Sequence, residues 1–225
     1  MRLACAVLML FLPSSLRRWV GVRLLGWNIH PTAHIGRSFI LVGHLSMGRS
    51  ARIGPWNVIR YVEEVRLGPG ANIATRNSIE AHPLSAQAYT HSPNRRAALI
   101  LGAFAKITNG HEIDCSDLVE LADYAALAGF RTQVLTHSFD LIRDWPVTWP
   151  VRIGERSMVM SGCILLSGSR VPARSIVSAG SVITTKLTAE GTLYGGNPAE
   201  AIRALPDNIG YFHRREDLDR NIPID

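Results

Sequence analysis

Eight histidines are the side chains of this 225-residue chain whose ordinary titration falls near neutral pH. An imidazole with an unperturbed pKa of about 6.5 can take the proton of a hydroxyl while that hydroxyl attacks an activated carbonyl. A nearby carboxylate can hold the ring in one tautomer. Two stretches bring these residue types together: NGHEIDC, with His111 and Asp114, and AGFRTQVLTHSFD, with Arg131, Gln133, His137 and Asp140. An isolated histidine is most often a surface or core residue with no chemistry, so its placement decides. The three cysteines, Cys5, Cys115 and Cys163, show neither metal-ligand spacing nor a disulfide framework, and no metal is expected.

The positioning element is legible as a repeat of six. Ile153, Val159, Leu165, Val171, Val177 and Ile183 recur at that interval, and Ser157, Cys163, Ser169, Ser175 and Ser181 follow the first five by four residues. Helices and ordinary strands have periods of 3.6 and 2. A period of six fits short flat strands joined by tight corners, three strands to a triangular coil of about eighteen residues. The aliphatic residue points inward, and the small residue fits where walls converge. The same register runs through Ile29, Ile35, Leu41, Met47, Ile53 and Ile59, through Leu67, Ile73 and Ile79, and through Leu101, Ile107, Ile113 and Val119. The spacing predicts an all-β parallel β-helix over 29–187. At about 4.8 Å of rise per coil it would have roughly seven or eight coils.

Two segments break the repeat, near 82–98 and 137–149, and read as projecting loops, which in a compact repeat scaffold are often functional. Residues 1–28 read as an N-terminal amphipathic cap. The apolar run 3–12 is too short to span a bilayer, and in the basic stretch after Pro13, Ser14 or Ser15 is a candidate helix cap. That segment suits either a lid on the first coil or peripheral contact with a membrane. Residues 188–225 read as a short helix over Pro198–Leu205 followed by a charged tail. The net charge of +6 comes from scattered arginines without a nucleic-acid motif, so nucleic acid is not expected as a partner. A phosphate-rich ligand suits it better.

The segments LTHSFD (135–140), the coils from Trp149 to Thr184 and YGGNPAEAIRAL (194–205) follow a familiar order. They resemble the left-handed β-helix hexapeptide-repeat acyltransferases, in particular surface-polysaccharide O-acetyltransferases and the galactoside, maltose and nodulation-factor acetyltransferase group. The left hand comes from this resemblance, because parallel crossovers are ordinarily right-handed. The resemblance implies an acetyl-CoA-dependent O-acetyltransferase acting on a sugar or glycan acceptor. It also implies a homotrimer whose sites lie between neighbouring prisms, in the cytoplasm, with the inner membrane face left open by the N-terminal segment. His137 is then the general base, with Asp140 its orienting or sugar-binding partner, and His111 and Asp114 further candidates. Arg131 and Gln133 would contact acceptor hydroxyls. Ser161, Ala179 and Gly180 would line the pantetheine groove, with the Ser161 region also an oxyanion donor. Thr184, Thr185, Lys186 and Arg203 would meet the adenosine phosphates. The family often has Thr-Lys where this chain has Thr184–Thr185, which displaces Lys186 by one.

IHPTAHIG (29–36) resembles the coil entry of serine acetyltransferases, which use an Asp-His pair as base. Here Gly43 precedes His44, so the carboxylate is missing. Carbonic anhydrase shares the scaffold with a three-His zinc site, but only His30 and His34 form a local pair here. N-acetylation of an amino sugar, serine acetylation and a non-catalytic β-helix acting as an assembly or binding module remain alternatives.

Overall fold

The computed structural model describes residues 1–84 and 89–215. The chain winds into a left-handed parallel β-helix with three faces. The first face carries seven strands, from Asn28–Ile29 to Arg170–Val171, and the third carries seven, from Phe39–Leu41 to Val182–Ile183. Seven parallel coils therefore stack, within the number expected. The second face runs from His34–Ile35 through Ile176–Val177 and ends on two further strands, Thr192–Gly196 and Ala199–Ala204.

Pairing registers show where the winding is regular. Ile153 lies over Val171, 18 residues on, whereas Val65 pairs with Leu99, 34 residues on, and Val119 with Val151, 32 residues on. The two long coils contain the two breaks in the repeat. Both insertions leave the prism at the same place, the corner between the third and first faces.

The inward residues pack as one column. Ile153, Val159, Leu165, Val171, Val177 and Ile183 are each no more than 1% exposed, and such aliphatic burial supplies the main cohesion of the prism. The small residues four positions later are buried as well, and the hydroxyls of Ser157, Ser175 and Ser181 bond to the backbone. Ser157 Oγ donates to the Pro172 carbonyl at 2.6 Å and accepts from Ser175 N at 3.0 Å. At Leu41 the register slips. Ile40 points inward at 1% exposure and pairs with Ile59, while Leu41 is partly exposed. The chain takes five residues from Ile35 to Ile40 and seven from Ile40 to Met47, so the six-residue count fails at this one position and is recovered at Met47, Ile53 and Ile59.

Two helices close the first coil: α1, Arg2–Met9, and α2, Ser14–Leu24. Pro13 is the N-cap of α2, and Ser14 Oγ instead takes the Ile35 N–H and meets His34 Nδ1 at 3.1 Å. The buried Arg17 ties the lid down, donating to the carbonyls of Met9 and Ile35.

The expected helix over Pro198–Leu205 is instead the strand Ala199–Ala204, antiparallel to Thr192–Gly196. The second face ends in an open row of backbone groups. A returning strand satisfies them, and this outweighs the helix preference of Ala, Glu and Arg. The tail contributes a 3-10 turn, Gly210–His213, and residues 216–225 lie outside the described residues.

Candidate active site

The corner between the third and first faces collects the chemistry. In the fourth coil it is formed by Asp114, Ser116 and Asp117, following the strand Glu112–Asp114. The first insertion starts at this corner one coil earlier, at Ala81–His82. The second starts one coil later, at Thr136–His137. It is a hairpin, His137–Asp140 against Trp145–Thr148, where the sequence reads only as a loop. The insertions touch each other: His91 stacks on Trp145 with centroids 3.8 Å apart, and Ser92 Oγ accepts from Thr148 N at 3.1 Å.

Asp114 is the hub. Its Oδ2 accepts from Thr136 N at 2.8 Å, Thr136 Oγ1 at 2.6 Å and His137 N at 3.0 Å, and meets His137 Nδ1 at 2.9 Å. Its Oδ1 accepts from Ser116 N at 3.0 Å and Ser116 Oγ at 2.5 Å. Burial alone would raise this carboxyl's pKa, but the donors around it, His137 first, hold it well below the usual carboxylate range. An ionised Asp114 has no proton to give, so His137 carries hydrogen on Nδ1 and presents Nε2 as a lone pair. The same contact raises the His137 pKa, against the opposing effect of desolvation. The side chain of His137 is 44% exposed, that of Asp114 14%. The ring therefore stands at the surface on a buried anionic support.

Asp140 is not that support. Along a strand, residues three apart face opposite sides, and the Asp140 carboxylate is taken by Ile142 N, Arg143 N and the Arg143 guanidinium. His111 is not at the surface either, being 1% exposed. It continues a ladder of buried polar residues at the second-to-third-face corner. Its backbone N–H donates to Asn77 Oδ1, its Nδ1 accepts from Thr132 N, and its Nε2 meets Thr108 Oγ1. Burial pushes its pKa down to about 4, so it is a neutral wall residue. Of the acceptor candidates, Gln133 donates to Glu112 at 2.9 Å, and Arg131 sits at a corner with φ +61°. Asp114, a candidate for sugar binding, is spent on His137.

The cofactor candidates fall on two edges. Ser161, Ala179 and Gly180 follow second-face strands, whereas Thr184, Thr185 and Lys186 follow the third-face strand Val182–Ile183, two coils above His137 on the same edge. Arg203 lies in the last strand of the second face, paired with Leu193. Ser161 Oγ accepts weakly from Phe130 N at 3.3 Å. It also lies so close over Gly129 that any Cβ there would collide with it. Gly162 (φ +67°) and Gly180 (φ +73°) leave this edge as bare backbone, with nothing within 4 Å of a built Cβ. An extended amide chain could lie close there. His44 lies at the start of a first-face strand, His30 Nδ1 meets Thr32, and His34 meets Ser14. Among the described residues no three metal-ligating side chains gather.

Sequence reasoning missed His82, Ser116, Tyr89 and Arg95. The His82 backbone N–H donates to Ser116 Oγ and its Nδ1 meets the same oxygen, each at 3.0 Å, and its ring meets His137 edge-on with centroids 5.9 Å apart. The buried Arg95 donates to the carbonyls of His82, Ser116 and Pro83 and lies over the Tyr89 ring. Beside this cluster a groove of about 540 Å³ runs between the insertions, past Asp117, Thr148 and Trp149.

Neither protein-family models nor curated proteins give a match to this sequence. Solved structures do. A hexapeptide-repeat-containing acetyltransferase from Vibrio cholerae matches 91% of this chain and 88% of its own, with 18% identity and a TM-score of 0.54. The same enzyme complexed with acetyl coenzyme A matches 92% and 88%, with 17% identity and a TM-score of 0.53. A maltose O-acetyltransferase from Clostridium difficile matches 91% and 84% more loosely, with 14% identity and a TM-score of 0.43. The chain thus has the fold of the hexapeptide-repeat acetyltransferases.

Proposed function

We propose that the protein is an acetyl-CoA-dependent O-acetyltransferase acting on a sugar or glycan hydroxyl, with His137 as general base. The observation that carries this is the Asp114–His137 pair, which fixes the tautomer and leaves Nε2 as an acceptor at an exposed corner. Nε2 takes the hydroxyl proton as the oxygen bonds to the thioester carbonyl carbon. A backbone N–H or the Ser161 hydroxyl stabilises the oxyanion. The C–S bond then breaks, and the imidazolium returns the proton to the departing thiolate. Ala179 and Gly180 would border the pantetheine arm, and Thr184, Thr185, Lys186 and Arg203 the phosphates, where Lys186 and Arg203 add positive charge.

His137 and the Ser161–Gly180 edge belong to different corners of one prism. A homotrimer, in which the edge of one chain faces His137 of the next, would complete the site. Sedimentation should accordingly give the mass of three chains, and a monomer active at the same specific rate would refute a shared site. The three cysteines are free and buried, in keeping with a reducing cytoplasm. The function itself is tested by thiol release from acetyl-CoA with nucleotide sugars, oligosaccharides, amino sugars and serine. Release with hydroxyl sugars is expected. Release only with amino sugars or serine would favour those alternatives, and none at all would favour a binding module.

We further propose that α1 and α2 rest on an anionic membrane surface. No helix among the described residues is long and apolar enough to cross a membrane. Yet Leu3, Leu8, Phe11 and Trp19 are exposed, Phe11 by 80%. Besides the buried Arg17, residues 1–28 hold Arg2, Arg18 and Arg23 and no acidic residue. Such a pairing of apolar and cationic side chains suits an interfacial helix. The protein should float with vesicles containing phosphatidylglycerol, and Phe11→Asp with Trp19→Asp should reduce the bound fraction by about tenfold. Equal binding by the double variant would refute the contact.

A further inference from the structure

We propose that His82 and His137 form a two-imidazole acceptor site that selects a ligand with two adjacent hydroxyls, His137 acting on one and His82 holding its neighbour. This rests on the reading of the protein as a hydroxyl acetyltransferase and names the acceptor chemistry.

Proton accounting at Ser116 is the foundation. A serine hydroxyl has one proton and two lone pairs. Ser116 Oγ lies 2.5 Å from Asp114 Oδ1, and that ionised oxygen can only accept, so the hydroxyl proton goes there. The two lone pairs then face His82 N and His82 Nδ1. His82 Nδ1 must therefore carry its hydrogen, which leaves Nε2 as an acceptor. Asp114 thus sets both rings, one directly and one through Ser116. Among the described residues neither Nε2 has a hydrogen-bond partner.

His82 is also held in place. The Arg95 guanidinium, buried to 9% exposure, donates to the carbonyls on either side of the network, His82 at 2.9 Å and Ser116 at 3.0 Å. Tyr89 packs edge-on against the His82 ring at 5.3 Å and under Arg95 at 4.9 Å. A buried arginine whose hydrogen bonds go to carbonyls rather than to a carboxylate is a costly device, and here it fixes the point from which His82 projects. Two rings with centroids 5.9 Å apart, each with Nε2 left to accept, suit a ligand with two closely spaced O–H donors. One hydroxyl gives its proton to His137 Nε2 as it attacks. The neighbouring hydroxyl donates a hydrogen bond to His82 Nε2 and keeps its proton, so His82 decides which oxygen faces the base.

The test compares cis-1,2-cyclohexanediol with cyclohexanol as acceptors, alongside acetyl-CoA hydrolysis by water, in wild type, His82→Phe and His82→Gln. Losing one hydrogen bond to the acceptor should lower kcat/KM for the diol by about tenfold in His82→Phe. The fall with cyclohexanol and with water should be smaller, so that the diol-to-cyclohexanol ratio drops, and His82→Gln, whose amide oxygen can accept, should restore part of that ratio. An equal fall for all three acceptors, or none for the diol, would overturn the proposal. A wild type that releases no thiol with any acceptor would count against acyl transfer instead. Nitrogen-15 NMR of the histidine rings then still decides, because it needs no turnover. At pH 8 the His82 ring should show hydrogen on Nδ1, and its Nε2 signal should shift on adding the diol. Hydrogen on Nε2, or no shift, would refute the site.

Discussion

His137→Ala should lower acetyl-CoA-dependent thiol release by about 10²–10⁴-fold, the range for loss of a positioned general base. The fold should survive the change. The ring is 44% exposed and makes one side-chain hydrogen bond, to Asp114, so circular dichroism and hydrodynamic mass should match the wild type. A variant that folds and retains full turnover would reject His137 as the base while leaving the β-helix in place.

The second large effect belongs to Asp114→Asn. An amide cannot accept along both edges of the Asp114 site, where every neighbour donates. Whichever way it turns, an NH₂ group faces donors. The imidazole loses its tautomer control, and turnover should fall by about 10²–10⁴-fold. The pH profile should move too. Asp114 raises the His137 pKa, so the acid limb of wild-type kcat/KM lies above the ordinary imidazole value. In Asp114→Asn that limb should shift to lower pH. A loss of rate with an unmoved limb would mean that Asp114 only supports the corner.

Stability gives an independent reading of the same pair. The Asp114 pKa is lowered, so its contribution is present above the unfolded carboxylate value and lost as pH falls through the folded one. The His137 pKa is raised, so its contribution is full below the unfolded imidazole value and lost as pH rises through the folded one. The gap in Tm between wild type and Asp114→Asn should be widest between about pH 4 and about pH 6.5.

The repeat was readable because inward positions recur along the chain itself. Ile153 to Ile183 needed no tertiary information, and all six lie in the core. Leu41 yields its inward place to Ile40 because one side of that coil is a residue short and the next a residue long, and nothing local marks the exchange. Asp140 looked attractive by nearness in sequence, but a strand turns residues three apart to opposite sides. Asp114, 23 residues before His137, is one coil away in space. His82 and Ser116 are separated by 34 residues because an insertion lies between them, so no spacing rule could join them. Ala199–Ala204 is helical by preference and a strand by position, because the last coil offers an open edge.

The most direct measurement of the central claim is a crystal structure of the protein with coenzyme A. The account predicts the thiol sulfur beside His137 Nε2, in a cleft closed by the Ser161–Gly180 edge of a neighbouring chain. Coenzyme A bound along another edge, with His137 facing solvent far from the sulfur, would contradict it.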